Sequence, residues 1–490
     1  MTDKIKKIIA ATLASLLATC AFGCGETPQN SGDSGSGGSS GSSSDVGGSS
    51  GGETTVGNWY DDENFKPVVR FTVTADTHFG TGTTDFYYWT QDLFADVFQH
   101  GYDYAASQEY NTMDAFIDVG DWLDHGLPGE YENFINVVDA NLRDETTFIP
   151  VLAGHELING TVDDFTTNMR IDTGVHEVIN GYHLIAIGNI NNTSPCKGFE
   201  WVKQQVEEAY NDDPYKPIFI FQHHPINNTI WSSNDNLASD QYHEIYKDYP
   251  NIMLFTAHTH VPGSEPANIL QHDYTSIGVA ATAYNGGVGT TYFEAAATPY
   301  CKDFKQVDEI PRAMTYENAI DEDHKGVGEF YIVEADEYGR TRVLIYDVYQ
   351  NGFKADFDGE GTMAYYFEDV TDKSTWLYTA ERGKEDSAPQ FEEGAELIIV
   401  SNGNGNAKVE FPQAKGKYGV LAYDAFLKNN ATGETQSVRI NSLQWMSLMP
   451  ETRSYEFTGL QSGAEYVLTI EPVNSFAKYG APLTVTFTAA

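Results

Sequence analysis

"Val-Val-Arg-Phe-Thr-Val-Thr-Ala-Asp-Thr-His", residues 68–78, decides how the rest of the chain is read. The stretch from Val68 to Ala75 is dominated by β-branched and aromatic residues, the composition of a buried strand. It runs straight into Asp76 and His78, which offer a carboxylate oxygen and an imidazole nitrogen. The same order recurs downstream. "Ala-Phe-Ile-Asp-Val" at 115–119 leads into Gly120, Asp121 and Asp124, and "Thr-Phe-Ile-Pro-Val-Leu" at 147–152 leads into Gly154, His155 and Glu156. "Pro-Ile-Phe-Ile-Phe" at 217–221 precedes His223 and His224, and "Ile-Met-Leu-Phe" at 252–255 precedes His258 and His260. "His-Leu-Ile-Ala-Ile" at 183–187 is one more apolar run of the same kind.

Helical stretches lie between these runs. From Phe199 to Tyr210 the spacing puts Phe199, Val202, Val206 and Ala209 on one face. Strands alternating with helices argue a layered α/β core. The segments 328–336 and 341–348 read as closing antiparallel strands. In an open α/β sheet ligands bind beyond the carboxyl ends of the strands, which is where the Asp and His residues fall. Hard carboxylates with imidazoles suit Zn, Mn or Fe better than a thiolate site would. A carboxylate able to bridge two cations, flanked by histidines, is what a two-metal phosphoryl site needs.

Taken in series, Asp-x-His, Gly-Asp-x-x-Asp, Ala-Gly-His-Glu, His-x-Pro and His-x-His over about 68–350 resemble the calcineurin-like metallophosphoesterase family. Each motif alone is weak, and the order of five is what carries the resemblance. It implies a layered α/β/β/α core. It implies two divalent metal ions, of Mn, Fe or Zn: Asp76, His78 and His260 on the first, His223 and His258 on the second, Asp121 bridging both. His155 matches the family histidine that contacts the phosphoryl group and protonates the leaving oxygen, and a metal-bound hydroxide is the implied nucleophile. Asp124 reads as a residue orienting a ligand or the loop, or as a plain loop carboxylate. His125 and His224 read as structural or substrate-facing.

Two departures from the family pattern matter. Ala257 replaces a glycine, small for small. Gly154 replaces the asparagine that ligates the second metal. Three outcomes stay open: a water in its place and weaker binding, another residue such as Asn159 or Asn189 reaching in, or a site that holds one metal.

After Pro389 the helical signals stop. Short strands recur at 396–400, 407–411, 418–426, 436–440, 454–457, 465–471 and 483–488, which fits an all-β immunoglobulin-like sandwich over 390–490. "Gly-Leu-Gln-Ser-Gly-Ala-Glu-Tyr" at 459–466 resembles the leucine-to-tyrosine stretch of fibronectin type III domains, whose tyrosine makes a corner hydrogen bond.

At the other end, Lys4, Lys6 and Lys7 precede an apolar run, Ile8 to Leu17, too short for a stable membrane span. Residues 1–23 read as a signal peptide. "Ala-Phe-Gly-Cys" at 21–24 resembles a bacterial lipobox and marks Cys24 for lipidation, although Phe22 is bulky; "Leu-Ala-Thr-Cys" at 17–20 is a rival, and an ordinary cleaved signal is the plainer alternative. The segment 24–57 is largely Gly and Ser, a flexible tether. The expected organisation is therefore signal peptide, tether, phosphoesterase domain over 58–388 and sandwich over 390–490. An exported chain permits a disulfide between Cys196 and Cys301, but spacing does not show that they meet.

The chain has 490 residues, 28 Lys and Arg against 71 Asp and Glu, and a net charge of −43. That balance disfavours nucleic-acid binding through a basic patch. The expected protein is a hydrolase of phosphate mono- or diesters, tethered to the outer face of the cytoplasmic membrane or secreted, acting on phosphorylated small molecules or on wall or lipid phosphates. The alternative is a degenerate phosphoesterase scaffold that binds or adheres without catalysis. Oligomeric state is not legible in the sequence.

Overall fold

The β-branched run before Asp76 forms β1, Pro67–Thr74. Every residue from Val69 to Thr74 is buried, as a strand covered on both faces requires. It pairs in parallel with β2, Ala115–Asp118, which pairs in parallel with β3, Thr147–Pro150. The computed structural model describes residues 59–60, 63–80, 85–191, 194–226, 240–258, 263–266, 269–272, 275–278, 293–294, 304–305, 312–313, 328–348, 350–357, 361–444 and 449–490.

The second sheet holds β4, Gly174–Ile179, β5, Tyr182–Ile187, β6, Ile218–Gln222, and β7, Ile252–Thr256. Its order is β4-β5-β6-β7, extended by the short strand Phe293–Glu294. β5, β6 and β7 run parallel and β4 is an antiparallel edge. The first sheet is closed on its other side by β8, Glu329–Asp336, and β9, Thr341–Asp347, both antiparallel. β10, Ala364–Phe367, pairs with β9.

The two sheets face one another across aromatic side chains. Phe71 of β1 meets Phe219 and Phe221 of β6 edge-on, with ring centroids 4.9 and 5.9 Å apart. Outside the first sheet lie α1, Asp85–Ser107, and α2, Pro128–Asn141. Phe94 and Phe98 of α1 and Phe134 of α2 pack with Phe116 and Phe148 of that sheet. The short helix α3, Val162–Met169, adds Phe165 and Met169 to the same cluster. Over the second sheet lie α4, Phe199–Asp212, and α5, Asp240–Tyr246. Val202, Val206 and Ala209 are fully buried on the face expected from their spacing, and Phe199 stacks edge-on against Tyr242. The result is a four-layer α/β/β/α core: the alternating pattern implied the layering, and the family resemblance the order of the layers.

Residues from 398 onward form a β-sandwich. One sheet has the order β11, Ile398–Gly403, β12, Asn406–Pro412, then β15, Thr452–Phe457; the other has β14, Thr435–Asn441, β13, Ala422–Asn429, β16, Glu465–Val473, then β17, Leu483–Thr488. Three strands against four, in this order, is the fibronectin type III arrangement. Inward-facing Val409, Phe411, Tyr423, Leu427, Ile440, Leu468 and Ile470 fill its core. Tyr466 is buried at the start of β16, and its hydroxyl accepts the backbone N–H of Gln461 at 3.0 Å. This is the corner bond expected from "Gly-Leu-Gln-Ser-Gly-Ala-Glu-Tyr". Tyr466→Phe leaves that N–H without its acceptor and is expected to lower unfolding stability by about 1–3 kcal/mol in chemical denaturation. An unchanged midpoint would show that water replaces the bond.

Phe65–Ala490 forms one compact unit. The sandwich joins the core within it: Gln444 donates to Glu265 at 3.2 Å, and the Asn474 side chain donates to the Ser387 carbonyl at 2.9 Å.

Candidate metal centre

The loops leaving β1 and β2 are zipped together by backbone bonds. Asp76 N–H donates to the Gly120 carbonyl at 2.9 Å, His78 to Asp121 at 3.1 Å and Phe79 to Trp122 at 2.8 Å. This pairing sets Asp76 and His78 beside Asp121. The loops after β6 and β7 join in the same manner, Ala257 N–H donating to the His223 carbonyl at 2.8 Å. His258 N–H reaches Asp76 Oδ2 at 3.2 Å and ties the two sheets' loops together. Asp76, His78, Asp121 and His258 all have positive φ, at 52°, 46°, 52° and 74°. Such backbone costs an L-residue about 1–3 kcal/mol and persists where the surroundings over-determine it, typically at functional sites. Gly120 has φ +102°, and a Cβ there would stand 2.6 Å from Ala153 Cβ and 3.0 Å from His223 Nδ1, so only glycine lets these loops close.

Two carboxylates occupy the middle. Asp76 and Asp121 are buried, and donor atoms of Asp76, Asp121 and His223 lie within 4.8 Å of one another. His223 Nε2 stands 2.9 Å from Asp121 Oδ2 and 3.8 Å from Asp76 Oδ1. Its other nitrogen, Nδ1, donates to the Val119 carbonyl at 3.0 Å, which orients the ring and leaves Nε2 facing the carboxylates. Burial works to lower the His223 pKa, but the Asp121 and Asp76 charges outweigh it and push it up to about 10. Burial likewise disfavours ionised Asp121, yet His223, His155 and His78 hold its pKa well below the usual carboxylate range. Asp121 also belongs to a second donor group, with His78 and His155. These donors fit divalent cations: hard oxygens with imidazole nitrogens, buried and preset in direction.

His155 opens a one-turn 3-10 helix, His155–Leu157. Its N–H donates to Asp121 Oδ1 at 2.9 Å, and its Nδ1 donates to the Asp124 backbone carbonyl at 2.7 Å. A carbonyl only accepts, so Nδ1 carries the proton and Nε2 is left for the site. Nε2 lies 3.9 Å from Asp121 Oδ2, and the His155 side chain is 36% exposed, open to an incoming substrate. The Asp124 side chain points at His125 Nδ1, 2.9 Å away, and lies 4.0 Å from His78 Nδ1. His125 is half-exposed.

Two buried acids escaped the sequence reading of roles. Glu156 follows His155 and is fully buried, its Oε1 accepting the Leu123 N–H and its Oε2 the Ala153 N–H, both at 2.9 Å. It clamps the loop after β2 to the loop after β3. Burial, then the nearby Asp121 charge, raise its pKa to about 8. Asp118, the last residue of β2, is also fully buried; one oxygen accepts the Gly120 N–H at 3.2 Å, and burial and the Glu156 charge raise its pKa. The only sequence signal for either was an acidic residue inside an apolar strand-end motif. Glu156→Gln turns an NH2 toward one of two donor N–H groups, so it is expected to cost about 1–3 kcal/mol of stability in thermal or urea unfolding. A change under a few tenths would remove the clamp role.

Of the residues expected at the site, the structure gathers Asp76, His78, Asp121, His155, His223 and His258. His260, Cys24 and Cys301 lie outside the described residues. The Asn189 amide oxygen accepts the Tyr242 hydroxyl at 2.7 Å, and Asn189 is in none of the donor groups gathered at the site. Asn159 donates through Nδ2 to the His125 carbonyl at 3.2 Å. Gly154 has φ −70° and ψ −44°, a conformation open to any L-residue, so backbone geometry does not account for the missing asparagine. His224, expected to be structural or substrate-facing, is buried beside the buried His223 and the part-buried His258, their donor atoms within 4.8 Å of one another.

Buried, oriented carboxylates and imidazoles at the strand ends of a four-layer α/β/β/α fold are the arrangement expected of a metal-dependent phosphoesterase. Residues 69–262 match the family model described as calcineurin-like phosphoesterase. No curated protein matches the chain. The chain is similar to several solved structures over about a fifth of its length. One is titled "Myokine structure", 13% identical, covering 22% of this chain and 100% of that one at a TM-score of 0.15. Another is the solution structure of the fn3 domain of the human collagen alpha-1(XX) chain, 13% identical, covering 20% and 82% at a TM-score of 0.17. A third is a crystal structure of an FN3 domain of human collagen XX, 20% identical, covering 21% and 91% at a TM-score of 0.16.

Proposed function

We propose that the protein hydrolyses phosphate mono- or diesters with two divalent cations held at the strand ends of its α/β/β/α core. The observation that carries this reading is Asp121, which belongs to two donor groups at once, one with His78 and His155 and the other with Asp76 and His223. Asp76 and His78, with His260, would hold one ion; His223 and His258 would hold the other; Asp121 would touch both. Bound divalent cations supply charge that stabilises the phosphoryl oxygens and an activated water. The chain's own part is orientation. Val119 fixes His223, the Asp124 carbonyl fixes His155, and Glu156 fixes both loops. His155 Nε2 is placed to pass a proton to the leaving oxygen.

The substrates in this proposal are phosphorylated small molecules or wall or lipid phosphates. The chain is exported and held at the outer face of the cytoplasmic membrane by lipidated Cys24 and its Gly/Ser tether. Hydrolysis of p-nitrophenyl phosphate and its bis-ester with added Mn or Zn tests the activity. Turnover that disappears on chelation and returns with metal is expected. Gly154 favours a second reading, a non-catalytic binding protein; no turnover on either ester with one metal or less per chain would select it. For the anchor, Cys24→Ala in a bacterium that processes lipoproteins is expected to release the protein from the membrane fraction. A wild-type chain already soluble and starting at another residue would refute the anchor.

A further inference from the structure

Gly154 removes a side-chain ligand from the second ion's shell, and its ordinary φ shows that no backbone demand put glycine there. A site that lost a donor without replacement would be expected to leave that ion weakly held. The structure instead presents another donor close by. His224 is 1% exposed, and its Nδ1 is buried with no hydrogen-bond partner. Leaving a buried ring nitrogen unsatisfied costs about 1–3 kcal/mol unless something not yet counted takes its lone pair.

The surroundings say what that something is. The His224 ring lies 4.5 Å from that of His258 and 4.8 Å from that of His223, centroid to centroid. One ligand atom from each of the three histidines falls inside a 4.8 Å span, the spacing of donors on one ion. The backbone of the segment is fixed as well: Gln222 Nε2–H donates to the His224 carbonyl at 2.8 Å, and Tyr246 in turn donates to Gln222 Oε1 at 3.0 Å. Imidazole in place of an amide oxygen also shifts the donor set of that ion from oxygen toward nitrogen, which favours Zn, Fe or Ni over Mg or Mn.

We infer that His224 is a ligand of the second cation, supplying from the β6 loop the donor that Gly154 no longer supplies from the β3 loop. The second ion is then held by Asp121, His223, His224 and His258, and the site is a nitrogen-rich variant of the family centre rather than a damaged one. The inference rests on the two-metal reading above.

The test is metal binding to the full chain stripped of metal, read by calorimetry with Zn and Mn, by metal-to-protein ratio, and by the visible spectrum of the Co(II)-loaded protein. Four forms are compared: wild type, His224→Gln, Gly154→Asn and the double variant, each checked by circular dichroism and thermal melting. Wild type is expected to bind two ions. His224→Gln is expected to weaken the second by at least about tenfold and to alter the Co(II) spectrum, with the first ion unaffected. Gly154→Asn alone is expected to change little, and in the His224→Gln background to recover the second ion, because an asparagine then takes up the missing place. That recovery also answers the concern that His224→Gln merely fails to fold. Two ions bound with equal affinity and the same Co(II) spectrum in wild type and His224→Gln would overturn the inference and leave the two-metal reading standing. One ion or fewer in wild type would overturn both.

Discussion

Asp121→Asn is expected to abolish tight binding of both ions and to lower kcat by about a thousandfold, whereas Asp124→Asn is expected to cost about tenfold. The difference follows from what each side chain faces. Asp121 is buried, and its two oxygens point to different tasks: Oδ1 accepts the His155 N–H at 2.9 Å and Oδ2 faces His223 Nε2 at 2.9 Å. Replacing one oxygen by NH2 sets a donor against a donor, removes the negative charge that opposes His223, and takes away the carboxylate that, among the described residues, two donor groups share. Asp124 holds its catalytic neighbour through the backbone, since the Asp124 carbonyl accepts from His155, and an asparagine keeps that carbonyl. Its side chain faces the half-exposed His125. Metal analysis and steady-state kinetics on both variants make the check. Equal, small losses in the two would show that Asp121 does not bridge, and the role would pass to Asp76, the other buried carboxylate near His223.

The contrast between these two aspartates also shows what the sequence could tell. Both stand in Gly-Asp-x-x-Asp, and the order of the motifs after apolar runs located them. The eight strand segments of the core and seven of the sandwich were legible because period and composition are local properties. β4 was not: Gly174–Ile179 is partly exposed, with polar His176 and Glu177 inside, and it exists because β5 offers an edge for pairing. Arg70 was equally opaque. It interrupts a run that reads as apolar, yet it is fully buried, because Glu334 on the neighbouring strand pairs with it at 2.6 Å. A partner 264 residues away leaves no trace in the local pattern. His224 shows the same limit at the site. Beside His223 it looks redundant, and only the approach of His258 from another strand gives it a place. Glu156 lay within a quoted motif, but its function depends on two N–H groups that come from separate loops.

His155→Gln is expected to leave both ions bound and to lose rate in a manner that depends on the leaving group. A general acid contributes about 10²–10⁴-fold when the departing oxygen is basic and needs a proton, and little when it departs readily as an anion. The structure commits His155 to that task by how its ring is held. Nδ1–H is tied to the Asp124 carbonyl at 2.7 Å, so Nε2 alone can trade a proton with substrate, and the exposed side of the ring admits one. Its backbone N–H, bonded to Asp121, is kept by glutamine, so the loop and the bridging carboxylate keep their support. Alkyl phosphates should therefore lose about 10²–10⁴-fold in kcat and p-nitrophenyl phosphate about tenfold or less. Metal content should not change. A uniform loss on both substrates would assign His155 to holding the phosphoryl group in the ground and transition states alike, because a charge or hydrogen bond to the phosphoryl oxygens serves every leaving group equally. The proton would then come from solvent, which the open face of the site admits.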